Sequence, residues 1–509
     1  MSSQERFSQQ VRPTADPPDH LCAVSASPAL VERLRSQTRA TGRSAIPVEL
    51  TNPRRLGFDD GVILPPSSFP RGTPARRIRQ AAADRAPLRG IVRVVVVLAE
   101  FSDRAMGEGQ AHRFRDLFFS SGVVPTGSVT EYFTDVTGGL VEIAGEVVGP
   151  FTMPQTLEWY ANGNYGIGKP SGEPRAHLLA QDAARAADAG VDFGPYDNDG
   201  NGFVDAFIVV HAGRGGEETG DSGDIWSHKW VLPAAYDADA AKIYGYLTIP
   251  EDAKLGVSAH ELGHLLFGFP DLYDIDGSSE GVGNWCLMAG GSWNAGGDTP
   301  AHPSAWCKVQ QGWATLTNVT SSQTLSIDDV KSSRTVYRLW TDGAEGNEGF
   351  LLENRQQSGY DSFLPGGGLL VWHVDDAQQD NSDESHYLVG LLQADGARDL
   401  ELASNRGDGG DQYPGSNDNR KLDAESTPSS QTYGGQDSGV FIADISDPGA
   451  TMTASVGVTS SEEPPGPGPG DLDARVTAVE QSLREVRQAL LGAAHSLGEV
   501  SSEVSTRGR

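Results

Sequence analysis

Apolar positions along the chain change spacing several times, and each change marks a different kind of element. RGIVRVVVVLAEFSD (89–103) is a nearly unbroken run of β-branched residues, the pattern of a strand buried on both faces. FVDAFIVVHAG (203–213) repeats that pattern. Between them PRAHLLAQDAARAADAG (174–190) reads as a helix, with Pro at its start and Gly at its end. Strand, helix and strand in this order predict a right-handed crossover and a parallel layer covered by helices. IYGYLTIPE (243–251) reads as a further strand at an edge, where an extended peptide could add on. PAHPSAWCKVQQGW (300–313) reads as a closing helix with a proline-rich entry.

From about 316 to 458 the runs become short and alternating, as in TVYRLW, GFLLENR, GGLLVWHVDD and SGVFIADIS. Gly, Asp and Ser clusters separate them, which predicts an antiparallel β-rich domain. A Pro/Gly linker occupies 459–470. Beyond it, Leu472, Val476, Val479, Leu483, Val486, Leu490, Ala493, Leu497, Val500 and Val504 step alternately by four and three. That is a heptad seam, and it predicts a coiled-coil helix over 471–509 that self-associates through residues 472–504 into a homo-oligomer. Residues 1–88 are rich in Pro, Arg, Ser and Ala, with one short helix predicted at SPALVERLRSQT (27–38). Two readings of this extension stand. It is a prosegment that covers a cleft, with Cys22 as a thiolate ligand to a metal, or a flexible leader with an incidental cysteine; composition favours the leader.

Composition narrows the partners. The 509 residues carry a net charge of −30, from 69 acidic against 39 basic side chains. Such a chain lacks the basic footprint that nucleic acid or an anionic membrane demands. No apolar run is long enough to cross a bilayer. Cys22, Cys286 and Cys307 make no disulfide framework, although Cys286 and Cys307 could pair or both be buried thiols. The N-terminus has no signal-peptide profile, so location rests on other arguments.

The chemistry centres on HELGHLLFGFPDLYD (260–274). His260 and His264 stand one helical turn apart on one face, with Glu261 beside the first. Two imidazoles at this spacing bind zinc, and the glutamate serves as general base. Upstream, YDNDGNGFVD places Asp197, Asp199 and Asn201 at alternate positions, then Gly202 and Asp205. This is the opening of an EF-hand-type loop and predicts structural calcium, but Ile208 stands where the closing glutamate belongs. In NRGDGGDQYPG, Asp408 and Asp411 could bind a cation or form a plain acidic turn. His228 in DIWSHKW reads as a core histidine rather than a cleft residue.

Several of these stretches, taken together and in order, resemble the immune inhibitor A family of secreted bacterial metallopeptidases, within the metzincin group. They are RGIVRVVVVLAEFSD, SVTEYFTDVTGGLVEIAGEVVGPFTMP, YDNDGNGFVDAFIVVHAG, DIWSHKW, HELGHLLFGFPDLYD, NWCLMAGGSW, GYDSFLPGGGLLVWHVDD and NRGDGGDQYPG. The resemblance implies an α/β (α+β) metzincin-like zinc peptidase domain over 89–315, followed by the β-rich domain (316–458) and the coiled coil. It implies a zinc endopeptidase acting on protein or peptide substrates, with His260 and His264 as ligands, Glu261 as general base and acid, and structural calcium. Met288, in a glycine-rich turn beyond the motif, matches the Met-turn beneath the ligands. The metzincin pattern places a glycine three residues after the second histidine and the third ligand three further on. Here the glycine is Gly268, one residue late, so the matching acid is Asp271, with Asp274 next in line. The resemblance also points outside the cell. The rival reading is a catalytically silent module of the same fold, multimerised by the coiled coil.

Overall fold

A computed structural model describes residues 21–41, isolated residues between 64 and 73, and 85–458 apart from 170 and 239. The predicted coiled coil and its linker lie outside these residues, and so does most of the N-terminal extension.

One mixed sheet organises the first half. Its strands are β1 (Cys22–Ala23), β2 (Gly90–Glu100), β3 (Val141–Thr152), β4 (Phe207–His211), β5 (His228–Ala238) and β6 (Ala241–Pro250), in the order β1-β5-β6-β4-β2-β3. Strands β3, β2, β4 and β6 run parallel, while β5 is antiparallel to β6 and β1 antiparallel to β5. The two β-branched runs pair directly, Val95 to Val97 against Phe207 to Val209, and Val94 through Ala99 are fully buried. The expected parallel layer is therefore present, but β3 was not among the strands read from sequence. Its glycines and glutamates leave it half exposed, unlike a buried strand. The strand read at 243–251 forms as expected, yet it is interior and not an edge, because β5 folds back beside it as a hairpin.

Helices α1 (Pro28–Thr41), α2 (Gln110–Phe119), α3 (Val129–Thr137), α4 (Ala176–Ala187), α5 (Leu255–Phe267) and α6 (Ala305–Gln310) accompany the sheet. The best-defined helix start is that of α3. Ser128 accepts the Glu131 N–H while the Glu131 carboxylate accepts the Ser128 N–H, and Gly138 closes the helix in the left-handed conformation. Its Phe133 packs on Phe267 of α5, with ring centroids 5.2 Å apart.

The second half contains β7 (Thr315–Asn318), β8 (Gln323–Asp328), β9 (Thr335–Trp340), β10 (Glu348–Arg355), β11 (Gly368–Asp375), β12 (Val389–Leu391), β13 (Val440–Ala443) and β14 (Thr451–Val458). They form two sheets, β12-β11-β10-β9-β7 and β13-β14-β8, antiparallel except for the β7–β9 pair. Strands β10 and β11 are buried on both faces. Leu351, Leu370 and Trp372 join the core of the first half, whereas Phe350, Leu352, Leu369 and Val371 join a second core with the β13-β14-β8 sheet. The polar members of the first face, Glu353 and Arg355, meet Lys308 and Asp361 in buried ion pairs. The described residues through Val458 form one compact unit. No described helix is long and apolar enough to cross a membrane.

Candidate metal centre and active site

Helix α5 carries the motif, and every residue from Leu255 to Phe267 is buried. Its first turn lies against the 290–297 segment so closely that a Cβ on Gly256 would stand 1.9 Å from the Ser292 carbonyl oxygen. That contact fixes the helix in depth. His260 Nδ1 lies 3.0 Å from Leu287 O, and His264 Nδ1 lies 2.6 Å from Phe269 O. A carbonyl only accepts, so both Nδ1 atoms carry the proton and both Nε2 atoms carry a lone pair. The two Nε2 atoms are 3.0 Å apart and face each other.

Asp271 completes the cluster. Its Oδ1 is 3.3 Å from His260 Nε2 and 3.1 Å from His264 Nε2, and neither carboxylate oxygen has a hydrogen-bond donor. The offset in the sequence is absorbed at the helix end. Gly268 takes the left-handed conformation (φ 67°), and its N–H reaches Gly263 O as well as His264 O, so the last turn is wider than an α-turn. The chain then turns back and delivers Asp271 to the histidines. Asp274 is instead committed to its own turn, accepting from the Asp276 and Ser279 N–H groups and the Ser278 hydroxyl.

Met288 lies beneath the histidines. A Cβ on Gly263, between the two histidines, would stand 2.7 Å from Met288 Sδ. Gly263→Ala is therefore expected to displace the thioether and destabilise the fold by about 1–3 kcal/mol, measured by urea denaturation; an unchanged midpoint would contradict this packing. The Leu287 carbonyl that holds His260 belongs to the same turn, and Met288 O accepts the Leu272 N–H at 2.8 Å. Cys286 and Cys307 are buried free thiols, and Cys286 Sγ accepts the Met288 and Ser304 N–H groups.

Glu261 faces the same space. One carboxylate oxygen accepts the Val24 N–H at 3.0 Å, and the other is buried without a partner. Burial raises this carboxyl well above its ordinary value, and the Asp271 and Glu217 carboxylates add to the effect. Glu217 is buried too, bonded to Ser227, and pushed up by burial to about 7. The nearby cation is Lys229, fully buried and lowered to about 8 by burial, with Cys22, Glu261 and Asp271 as its charged neighbours. Sequence reading passed over Glu217 and Lys229. The only signal for Lys229 was period-two alternation in SHKWV, which puts it on the face opposite His228. His228 itself is a satisfied core residue, between Trp226 O and the Tyr246 hydroxyl.

The N-terminal extension enters this centre. Strand β1 pairs with β5, with Cys22 opposite Lys229. The Cys22 thiol, His264 and Asp271 form a group whose ligand atoms all lie within 4.8 Å of one another.

Two acidic loops have other partners. In the 197–205 loop the Arg85 guanidinium bonds Asp199 at 2.7 Å and Asp205 at 2.5 Å, and oxygens of Asp197, Asp199 and Asp205 lie within 4.8 Å of one another. Asp197 accepts the Asn201 and Gly202 N–H groups, and Asn201 Oδ1 accepts that of Phe203. Asp411 accepts from the Trp285 indole at 2.8 Å and the Asp408 N–H at 3.0 Å, so that loop buttresses the 285–288 turn. Burial, aided by Asp408 and Asp395, pushes Asp411 up to about 7. The folded protein thus keeps a proton there that the unfolded chain has lost, and stability falls as pH rises from about 4 to about 7. Asp411→Asn is expected to flatten that fall, giving a Tm advantage over the wild type that grows across the window. A constant offset would exclude the linkage.

The residues fit a divalent metal. Two imidazole nitrogens and a carboxylate meet at 3.0 to 3.3 Å, a repulsive arrangement unless a proton or a metal cation joins them. Ligands with bonds of about 2.0–2.1 Å at tetrahedral angles stand roughly 3.3 Å apart, close to these spacings.

Comparison with known proteins shows what the catalytic half is similar to. Residues 100–317 match the immune inhibitor A peptidase M6 catalytic domain. That stretch is similar to the immune inhibitor A peptidases. Immune inhibitor A of Bacillus thuringiensis subsp. alesti is 34% identical over 232 residues, covering 37% of this chain and 33% of the relative. The pre-pro-metalloprotease PrtV of Vibrio cholerae serotype O1 (strain M66-2) is 28% identical over 235 residues, covering 38% of this chain and 25% of the relative. The chain therefore matches a third or less of each curated relative's length. A peptidase M6 domain implies a catalytic metal, and in this chain the convergent donors are His260, His264 and Asp271.

Proposed function

We propose that the protein is a zinc-dependent endopeptidase acting on protein or peptide substrates. The observation that carries this reading is the pair of Nε2 lone pairs converging with Asp271 beside a buried Glu261 that has one unpartnered oxygen. His260, His264 and Asp271 would hold the ion. When bound, zinc supplies a Lewis acid that lowers the pKa of water towards neutrality and polarises the scissile carbonyl.

The remaining steps belong to the chain's own residues. Glu261 takes the proton of the attacking water and later hands it to the leaving nitrogen. Its buried oxygen without a partner is free to take that proton. The carbonyls of Leu287 and Phe269 fix the imidazole tautomers, and Met288 supports the helix between the two histidines. Strand β5 offers an extended substrate the backbone edge that β1 occupies in this structure. In this reading Asp197, Asp199 and Asp205 hold a structural calcium ion, with Arg85 lying against two of the three carboxylates.

The ligand assignment is tested by metal content after dialysis. Wild type and Asp274→Ala are expected to keep about one zinc per chain, whereas His264→Ala and Asp271→Ala lose it. Loss in Asp274→Ala with retention in Asp271→Ala would move the third ligand to Asp274.

A further inference from the structure

Residues 21–41 are not a loose leader. Leu21, Cys22, Ala23, Val24, Ala26 and Leu30 are all buried against the catalytic half. Their backbone is held on both sides. The Val24 N–H bonds Glu261, the Val24 carbonyl accepts from the Trp226 indole at 2.8 Å, and the Ser25 carbonyl accepts from the Trp293 indole at 2.9 Å. The Tyr273 hydroxyl donates to the Ala23 carbonyl. Helix α1 then extends the docking, through Arg35 to Glu280 at 3.0 Å.

This short strand does two things at the site. It takes the edge of β5 that an extended substrate would use, and it sets a backbone N–H on the carboxylate assigned as general base. It also delivers a sulfur to the metal ligands. Cys22 and Lys229 are directly opposed in the antiparallel register, so their side chains share one face of the sheet. That face fronts the histidines. The thiol approaches from the side of His264 and Asp271. Two buried acceptor sets aimed into the same space lack donors, the free oxygen of Glu261 and both oxygens of Asp271. A tetrahedral zinc site with three protein ligands keeps one position open.

We propose that the Cys22 thiolate fills that fourth position, so that the 21–24 strand is a built-in inhibitor tied to the metal. The inference rests on the zinc site proposed above. Ligation is as thiolate, with the thiol proton released, and the buried Lys229 ammonium opposite compensates the added negative charge. Peptide hydrolysis then requires the strand to leave β5 and the sulfur to leave the metal together.

Cobalt(II) replaces zinc in such sites and reports sulfur ligation by a thiolate-to-metal charge-transfer band. The test uses the full chain loaded with cobalt, beside Cys22→Ser and Cys286→Ser. The wild type and Cys286→Ser are expected to show the band, and Cys22→Ser to bind one cobalt without it. A cobalt-loaded wild type with no band would overturn the inference while leaving the three-ligand site intact. A band that survives in Cys22→Ser would also overturn it, by placing the sulfur elsewhere. A wild type that binds no cobalt would overturn the metal site itself.

Discussion

Glu261→Gln is expected to keep its zinc and to lose peptidase turnover by about 10²–10⁴-fold. The substitution preserves shape and the acceptor for the Val24 N–H, but glutamine cannot take the proton of the attacking water. It is not a ligand, so metal content should stay at one per chain. Turnover and zinc content measured on the same preparation separate the roles. Full turnover would remove Glu261 from the chemistry, and loss of zinc would make it a ligand.

A comparably large effect is expected far from the metal, at Asp361→Ala. Asp361 is fully buried and paired with the fully buried Arg355, whose guanidinium also donates to Trp285 O at 2.7 Å. Asp361 Oδ1 accepts the His302 N–H as well. Burial opposes ionisation, yet Arg355 and His302 hold this carboxyl well below its usual range. Removing it leaves the buried guanidinium with only Glu353, 3.7 Å away and already paired with Lys308, and breaking a buried pair typically costs about 3–5 kcal/mol. Because Arg355 holds the 285–288 turn, zinc affinity should fall together with the urea midpoint. A change below about 1 kcal/mol would mean that water reaches the cluster.

These two sites differ in how far the sequence disclosed them. His260, Glu261 and His264 were legible because four-residue spacing on one helix is a local property. The buried strands 90–100 and 207–211 were legible for the same reason, since β-branched runs announce themselves without their partners. Asp271 was reached only as one of two choices. What delivers it is a wide final turn at Gly268, and turn width depends on which carbonyls the cap N–H meets. The edge of the sheet was misplaced at 243–251 because edges are set by pairing, and HKWVLPAAYDA, with its Pro and Asp, gives little sign that it would fold back beside that strand.

Other features were invisible for reasons of distance. Arg85 reaches Asp199 and Asp205 across more than a hundred residues, a pairing that no local pattern announces. Val24 meets Glu261 from 237 residues away. Composition around Cys22 argues for a flexible leader, and only the pairing of β1 with β5 turns an incidental cysteine into a neighbour of the histidines. Strands β10 and β11 show a related effect. Their unbroken burial follows from lying between two cores, and the alternation expected of a one-sided antiparallel sheet disappears.

The most direct test of the zinc-peptidase reading is digestion of a random peptide library by the full chain and by Cys22→Ser, each before chelation, after chelation and after zinc is restored. Cleavage at internal peptide bonds by Cys22→Ser, abolished by the chelator and recovered with zinc, is the predicted result. Cleavage that ignores the chelator would contradict it.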